Sequence, residues 1–325
     1  MAAVHGILLL DKPLGLSSNQ ALARARRLLG ADKAGHTGAL DPLATGMLPC
    51  CFGEATKIAG LLLGARKAYV ARVALGATTE TGDREGRVLA AGPVPPIDGA
   101  LLDRVLGAFR GRIRQRPPAY SALKRDGVPL YRLARRGEAV EAPEREVEIH
   151  ALSARLLDPL ALPAGWSPRR PPAELVGRPP GTTDEAWPLL ELDVTCGSGT
   201  YIRSLAVDLG AALGCPAHLA ALRRPWVEPF EGAAMVGLDV LEAAAADGTA
   251  GSLLRPVAEG LQGRRRIEVD ADGERRLRQG QPVPLGAAVP PGACRVHGPG
   301  GGLVALATVE PGGTLRSQRV FAPGT

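Results

Sequence analysis

The stretch KAYVARVALG, residues 67–76, demands a sheet. Tyr69, Ala71, Val73 and Leu75 share one face of an extended segment, and Val70, Arg72 and Ala74 share the other. LLELDVT (189–195) alternates in the same way, and GILLLD (6–11) reads as a short buried strand. Helical patterns lie around these segments. KPLGLSSNQ turns into a helix in which Ser17 and Gln20 have capping-box spacing. Leu22, Ala25, Leu28 and Leu29 keep one apolar face there, Arg24, Arg26 and Arg27 lie off it, and Gly30 ends it. MLPCCFG resembles a strand and EATKIAGLLLG a short helix. IDGALLDRVLGAFRGRI (97–113) reads as an amphipathic helix. In CGSGTYIRSLAVDLGAALG, a Gly-rich turn precedes a helix with Leu205, Leu209 and Leu213 at helical spacing and Tyr201 one turn earlier.

A length of 325 residues suggests two domains, or one large domain with an appendage. Hydrophobic residues make up 45 %, enough for a core, but aromatics only 3 %, so that core rests on Leu, Val and Ala. The 42 Gly and 29 Pro predict many loops. After SLLRPVAEGL the texture changes to short strand-like pieces with Gly/Pro turns, which sets a boundary near residue 255 and domains at 1–254 and 255–325. Residues 158–188 are Pro-rich and aperiodic and read as a surface insertion.

The net charge of +6 and pI near 9.3 suit a polyanionic partner such as RNA, as well as ordinary solubility. RQRPPAYSALKRDGVPLYRLARRGE (114–138) is a basic segment with two tyrosines. It is either a solvated loop and helix or an arm in which Arg and Lys neutralise phosphates and Tyr stacks on bases. Residues 80–87, ETGDREGR, form a charged turn. The five cysteines include no C-x-x-C pair, so neither a zinc ribbon nor a redox pair is indicated. Cys50 and Cys51 read as small core residues, and the set as reduced cytoplasmic thiols. The apolar run near the N-terminus is too short for a signal or a membrane span.

HTGALDPLATG, His36 to Gly46, holds one carboxylate among small residues. Pro42 keeps Asp41 out of helical angles, and Gly35, Gly38 and Gly46 let the backbone approach a ligand closely. Such an Asp is a nucleophile, a metal ligand or simply a turn former. Only His36 is nearby to help bind a metal, which disfavours that option. Arg203 falls in the first turn of its helix, where a cation opposes the dipole at a cost of a few tenths of a kcal/mol. A buried carboxylate as its partner would explain it, Asp41 being one candidate; otherwise it is a surface Arg. Asp11, Asp83 and Glu54 could each supply the second acid of a glycosidase-like pair, but none sits in a comparable loop. No nucleophile elbow, P-loop or dinucleotide fingerprint is present.

These residues closely resemble a known family. GILLLDKPLGLSSNQAL, AGHTGALDPLATGMLPCCFGEATK, KAYVARVALG and CGSGTYIRSLAVDLG are similar to segments of the TruB family, the bacterial tRNA pseudouridine-55 synthases. PPAYSALKRDGVPLYRLARRGE and HLAALRR match further stretches, so the likeness covers most of 4–157 and 189–225. Residues 255–325 look like that family's small PUA-type RNA-binding domain.

The resemblance implies an α+β fold: a mixed, mostly antiparallel sheet core with flanking helices, plus the β-rich C-terminal domain. It implies isomerisation of one uridine in the T-loop arm of tRNA, by a cytoplasmic monomer using no cofactor and no metal. Asp41 falls on the family's nucleophile, although attack on ribose or on base stays open. Tyr69 falls on the tyrosine that packs on the target base, and Arg203 on the arginine paired with the aspartate. His36 falls on the histidine that holds loop nucleotides, and Tyr201 and Leu222 on pocket walls. The 158–188 insertion is longer than the family pattern. Three other readings stay open: a tRNA-binding protein that assists tRNA folding, with or without catalysis; a guide-RNA-dependent relative; and a carbohydrate-active enzyme using Asp41.

Overall fold

The computed structural model describes residues 4–121, 123–125, 127–134, 136–138, 140, 142–157, 187–286 and 288–323. The predicted insertion at 158–188 lies outside them except for 187 and 188. The chain divides into two units. The first comprises Met1–Pro42, Gly46–Ala65 and Val227–Thr325, and the second Leu43–Thr45 and Arg66–Trp226.

In the first unit, strand β1 (Gly6–Lys12) leads into helix α1 (Ser18–Leu29), then β2 (Ala34–His36) and β3 (Ala44–Phe52). Both β1 and β2 pair with β3 in antiparallel register, Lys12 opposite Gly46 and His36 opposite Cys50. The capping box forms as its spacing predicts, and Gly30 closes α1 at φ 62°, a left-handed value that Gly adopts without a Cβ clash. The predicted loop of 36–46 is shorter than expected, because β3 already begins at Ala44. Residues 53–63 form a 3-10 turn before helix α2 (Ala59–Leu63) rather than a single helix. Later chain returns to β1: Ile7 exchanges two backbone hydrogen bonds with Arg255, and Val236 bonds Leu9 and Asp11.

The second unit holds β4 (Lys67–Leu75), the hairpin β5 (Ala77–Thr79) and β6 (Val88–Ala91), and helix α3 (Gly99–Ala108). After them come β7 (Gly111–Gln115), the short pair β8 (Lys124–Arg125) and β9 (Val128–Pro129), and helix α4 (Leu130–Ala134). β10 (Arg145–Leu157), β11 (Leu189–Cys196), helix α5 (Ile202–Leu213) and β12 (Ala217–Val227) complete it. Its main strand order is β12-β4-β11-β10-β7. Glu191 on β11 lies between Arg155 on β10 and Arg72 on β4, at 2.5 and 3.1 Å. Burial alone would push its carboxyl up, but the two guanidinium groups outweigh that and hold it below the usual range.

The helix expected over 97–113 stops at Ala108. Gly111 takes φ 78° and the chain becomes an edge strand, while Arg110 reaches the Leu152 carbonyl at 2.9 Å. The break coincides with Gly111, a local stop signal, and with a bond to a carbonyl 42 residues away, which no local periodicity shows.

The first unit continues through helix α6 (Leu238–Ala246) to a five-stranded sheet. That sheet joins β13 (Arg265–Glu268), β14 (Val283–Pro284), β15 (Gly292–His297), β16 (Leu303–Glu310) and β17 (Thr314–Val320) in the order β13-β15-β16-β17-β14. It is β-rich, as the change of texture predicts, but also carries helix α7 (Ala271–Arg278), which was not expected. Asp270 caps α7 by accepting from the Gly273 amide at 2.8 Å. Lys57 fastens the end of β17 to the 3-10 turn, donating to the Val320 carbonyl at 2.7 Å and standing over the Phe321 ring. Among the described residues no helix is long and apolar enough to cross a membrane.

Candidate active site

His36 and Asp41 belong to the first unit, and Tyr69, Tyr201, Arg203 and Leu222 to the second. Asp41 is two residues before Leu43, where the chain passes into the second unit.

The backbone on both sides of Asp41 is pinned. The Ser18 hydroxyl, at the buried start of α1, accepts from the Leu40 amide at 2.7 Å and donates to the Leu40 carbonyl at 3.0 Å. The Gly15 amide donates to the Pro42 carbonyl at 2.8 Å. Gly15 belongs to a turn closed by Lys12, whose buried Nζ donates to the carbonyls of Pro13 and Leu16 at 2.9 and 2.6 Å. Gly38 and Gly46 take φ values of 127° and 103°, so these two positions need glycine for the loop to turn. The Thr37 amide bonds the Pro49 carbonyl at 3.1 Å and fixes the His36 end against β3. Sequence reasoning did not single out Ser18 or Lys12; their partners are carbonyls and amides, which carry no residue identity.

In the second unit, Tyr69 stands on β4 opposite Val194 of β11 and is 8 % exposed, on the core side predicted by the alternation. Leu222 is buried on β12, whereas neighbouring Arg223 is exposed and reaches the Thr45 hydroxyl at 3.4 Å. The Tyr201 ring lies 5.3 Å from the Arg145 guanidinium.

Arg203 lies in the first turn of α5, as its position in the sequence predicts, and it is buried, which decides against a surface Arg. NH1 donates to the Thr81 carbonyl at 3.0 Å and NH2 to the Tyr120 carbonyl at 2.9 Å. The Asp83 carboxylate lies 3.7 Å from NH1. Thus two carbonyls and a carboxylate offset the unfavourable dipole. Asp83, weighed on sequence only as a possible second acid, serves as an anchor. Its Oδ1 accepts from the Thr81 hydroxyl at 2.6 Å and from the Glu85 amide at 3.0 Å, so the charged turn of 80–87 is folded around it. Next to it His218 places Nδ1 2.8 Å from the Ala77 carbonyl. Burial pushes this imidazole below its ordinary value, against the opposing pull of Ala77 and the Asp83 charge.

All five cysteines are buried and none is in a disulfide, and burial pushes the Cys51 thiol up to about 12. Cys50 and Cys51 are both fully buried in the core, where the sequence reading puts them. Among the described residues, no group of three or more His, Cys, Asp or Glu is placed to hold a metal.

Residues 26–160 match the family model described as TruB family pseudouridylate synthase, N-terminal domain. Residues 203–262 match the tRNA pseudouridylate synthase B C-terminal domain. The chain is 52 % identical over 319 residues to tRNA pseudouridine synthase B of Xanthomonas campestris pv. campestris (strain B100), covering 98 % of this chain and 94 % of that one. The chain belongs to the TruB family. Another relative, tRNA pseudouridine synthase B of Ralstonia nicotianae, is 47 % identical over 322 residues, covering 98 % of this chain and 94 % of that one. Among solved structures, a Cbf5-Nop10-Gar1 complex includes a chain that superposes with a TM-score of 0.67 at 23 % identity, covering 98 % of this chain and 85 % of that one. That similarity establishes the shared fold, a mixed sheet core with flanking helices, as the resemblance implied.

Proposed function

We propose that the protein is a stand-alone tRNA pseudouridine synthase that converts uridine 55, in the T-loop, to pseudouridine. The observation that carries this reading is the intact GHTGALDPLATG loop, with Asp41 held between two pinned neighbours, in a chain 52 % identical to a tRNA pseudouridine synthase B. The reaction breaks the N1–C1′ glycosidic bond, turns the uracil and forms a C5–C1′ bond. The C5 proton leaves and N1 gains one, so the product is an isomer. A stacked uracil hides C1′, C5 and C6, so the nucleotide must first be flipped out.

Asp41 is the nucleophile, dividing one difficult step into two. Tyr69 packs on the flipped base and helps remove the C5 proton. Arg203 takes the role of the family's arginine, which favours the ionised form of the nucleophile. Tyr201 and Leu222 wall the pocket, and His36 holds neighbouring loop nucleotides. The basic segment of 114–138 contacts the T-arm, and 255–325 serves as a PUA-like RNA-binding domain. The enzyme acts in the cytoplasm as a monomer.

Tritium release from a tRNA transcript labelled at uracil C5 tests this, with neither guide RNA nor metal added. Wild-type protein is expected to release label from uridine 55, and Asp41→Ala to release none while melting at the same temperature. If neither releases label yet both bind tRNA, a folding or guide-dependent role replaces the reading.

A further inference from the structure

We infer that Gln115 and Arg145 form a positioning pair for Tyr201, an inference that rests on the proposed function for its catalytic meaning. Gln115 is 1 % exposed and ends β7, at the root of the basic segment. Its carboxamide grips both backbone groups of one residue. Nε2 donates to the Tyr201 carbonyl at 2.9 Å, and Oε1 accepts from the Tyr201 amide at 2.7 Å. A carboxamide carries a donor and an acceptor on one planar group and so can make both bonds at once.

Arg145 stands directly opposite Gln115 in the β7–β10 register and places its guanidinium over the Tyr201 ring. One member of the pair therefore fixes the backbone and the other the ring. Tyr201 needs the help. It occupies the N-cap of α5 but makes no side-chain cap, and its carbonyl also receives the Leu205 amide at 3.1 Å. Two further bonds continue the same seam: the Ser204 hydroxyl donates to the Arg116 carbonyl at 2.7 Å, and Arg203 to that of Tyr120. Gln115, Arg116 and Tyr120 are thus joined to Tyr201, Ser204 and Arg203 respectively. Gln115 sets where α5 begins, and with it the places of the Tyr201 ring and the Arg203 guanidinium.

The test uses Gln115→Met, which keeps the volume and removes both bonds, and Gln115→Glu, which keeps the acceptor and loses the donor. Amide hydrogen exchange of the full-length protein is read first. Protection in residues 197–205 should fall at least tenfold in Gln115→Met, with β4 and β11 unchanged. Single-turnover pseudouridine formation at saturating protein should fall at least tenfold in both variants, with tRNA Kd within twofold of wild type. Arg145→Ala should lower the rate, and Arg145→Lys, which keeps a cation over the ring, should restore part of it. Unchanged exchange at 197–205 overturns the inference whatever the activity, as does a rate loss no larger than the loss of folded protein. Inactive wild-type protein would overturn the proposed function instead, while exchange would still decide the role of Gln115.

Discussion

The NH1 of Arg203 stands 3.7 Å from Oδ2 of Asp83, with only 6 % and 5 % of the two side chains exposed. Removing one member of such a pair leaves the other charge buried without that compensation, at a cost of about 3–5 kcal/mol. Asp83→Ala should therefore lower the melting temperature clearly and also slow pseudouridine formation, since the turn that receives Arg203 is built on this carboxylate. Asp83→Asn, which keeps an oxygen for the Glu85 amide, should lose less stability. Thermal melts alongside tritium release check both. Equal melting of Asp83→Ala and wild type would show that the pair contributes nothing.

Ser18 offers a separate handle on the Asp41 loop. Its hydroxyl meets the Leu40 amide and carbonyl in a buried setting. Ser18→Ala leaves those groups without it, at a cost of roughly 1–3 kcal/mol. The rate should fall more than tRNA affinity does, because the loop backbone is released while the surface is unchanged. Ser18→Thr keeps the hydroxyl and should retain more activity. Urea unfolding and single-turnover kinetics on the three proteins are the measurements.

His218 sets a pH dependence. Its folded value lies below 6.5, so the unfolded chain takes the proton first as pH falls. Its contribution to stability is complete above pH 6.5 and declines as pH drops below that toward the folded value. His218→Gln can still bond the Ala77 carbonyl and does not titrate. The difference in unfolding free energy between wild type and variant should change with pH between 7.5 and 5; a flat difference would show that His218 does not titrate in this way.

What the sequence disclosed follows from the range of each interaction. The capping box of Ser17 and Gln20, the Gly30 end of α1 and the alternation of β4 and β11 are local patterns, and each appears in the structure as read. Helix α7 was missed because its buried face is only Gly273 and Leu277, one turn apart in an otherwise charged segment. The helix end at Ala108 was missed because a distant carbonyl helps to define it. Within the candidate site, the residues Asp41, Tyr69 and Arg203 were recognisable as types in a family pattern. Their supports were not. The bonds from Arg203 to the Thr81 and Tyr120 carbonyls join segments 122 and 83 residues apart, and the Gln115–Tyr201 clasp spans 86.

The backbone exchange between Ile7 and Arg255 also has a consequence during synthesis. A ribosome adding about 5–20 residues per second makes the second residue roughly 12–50 s after the first. Once β3 has been made and has paired with it, β1 keeps an open edge on its other side until Val236 and Arg255 arrive, a template for pairing with any other extended chain. Val236 and Arg255 close it only after the chain has grown by more than two hundred residues beyond β1. Strand β1 is thus made long before its last partner.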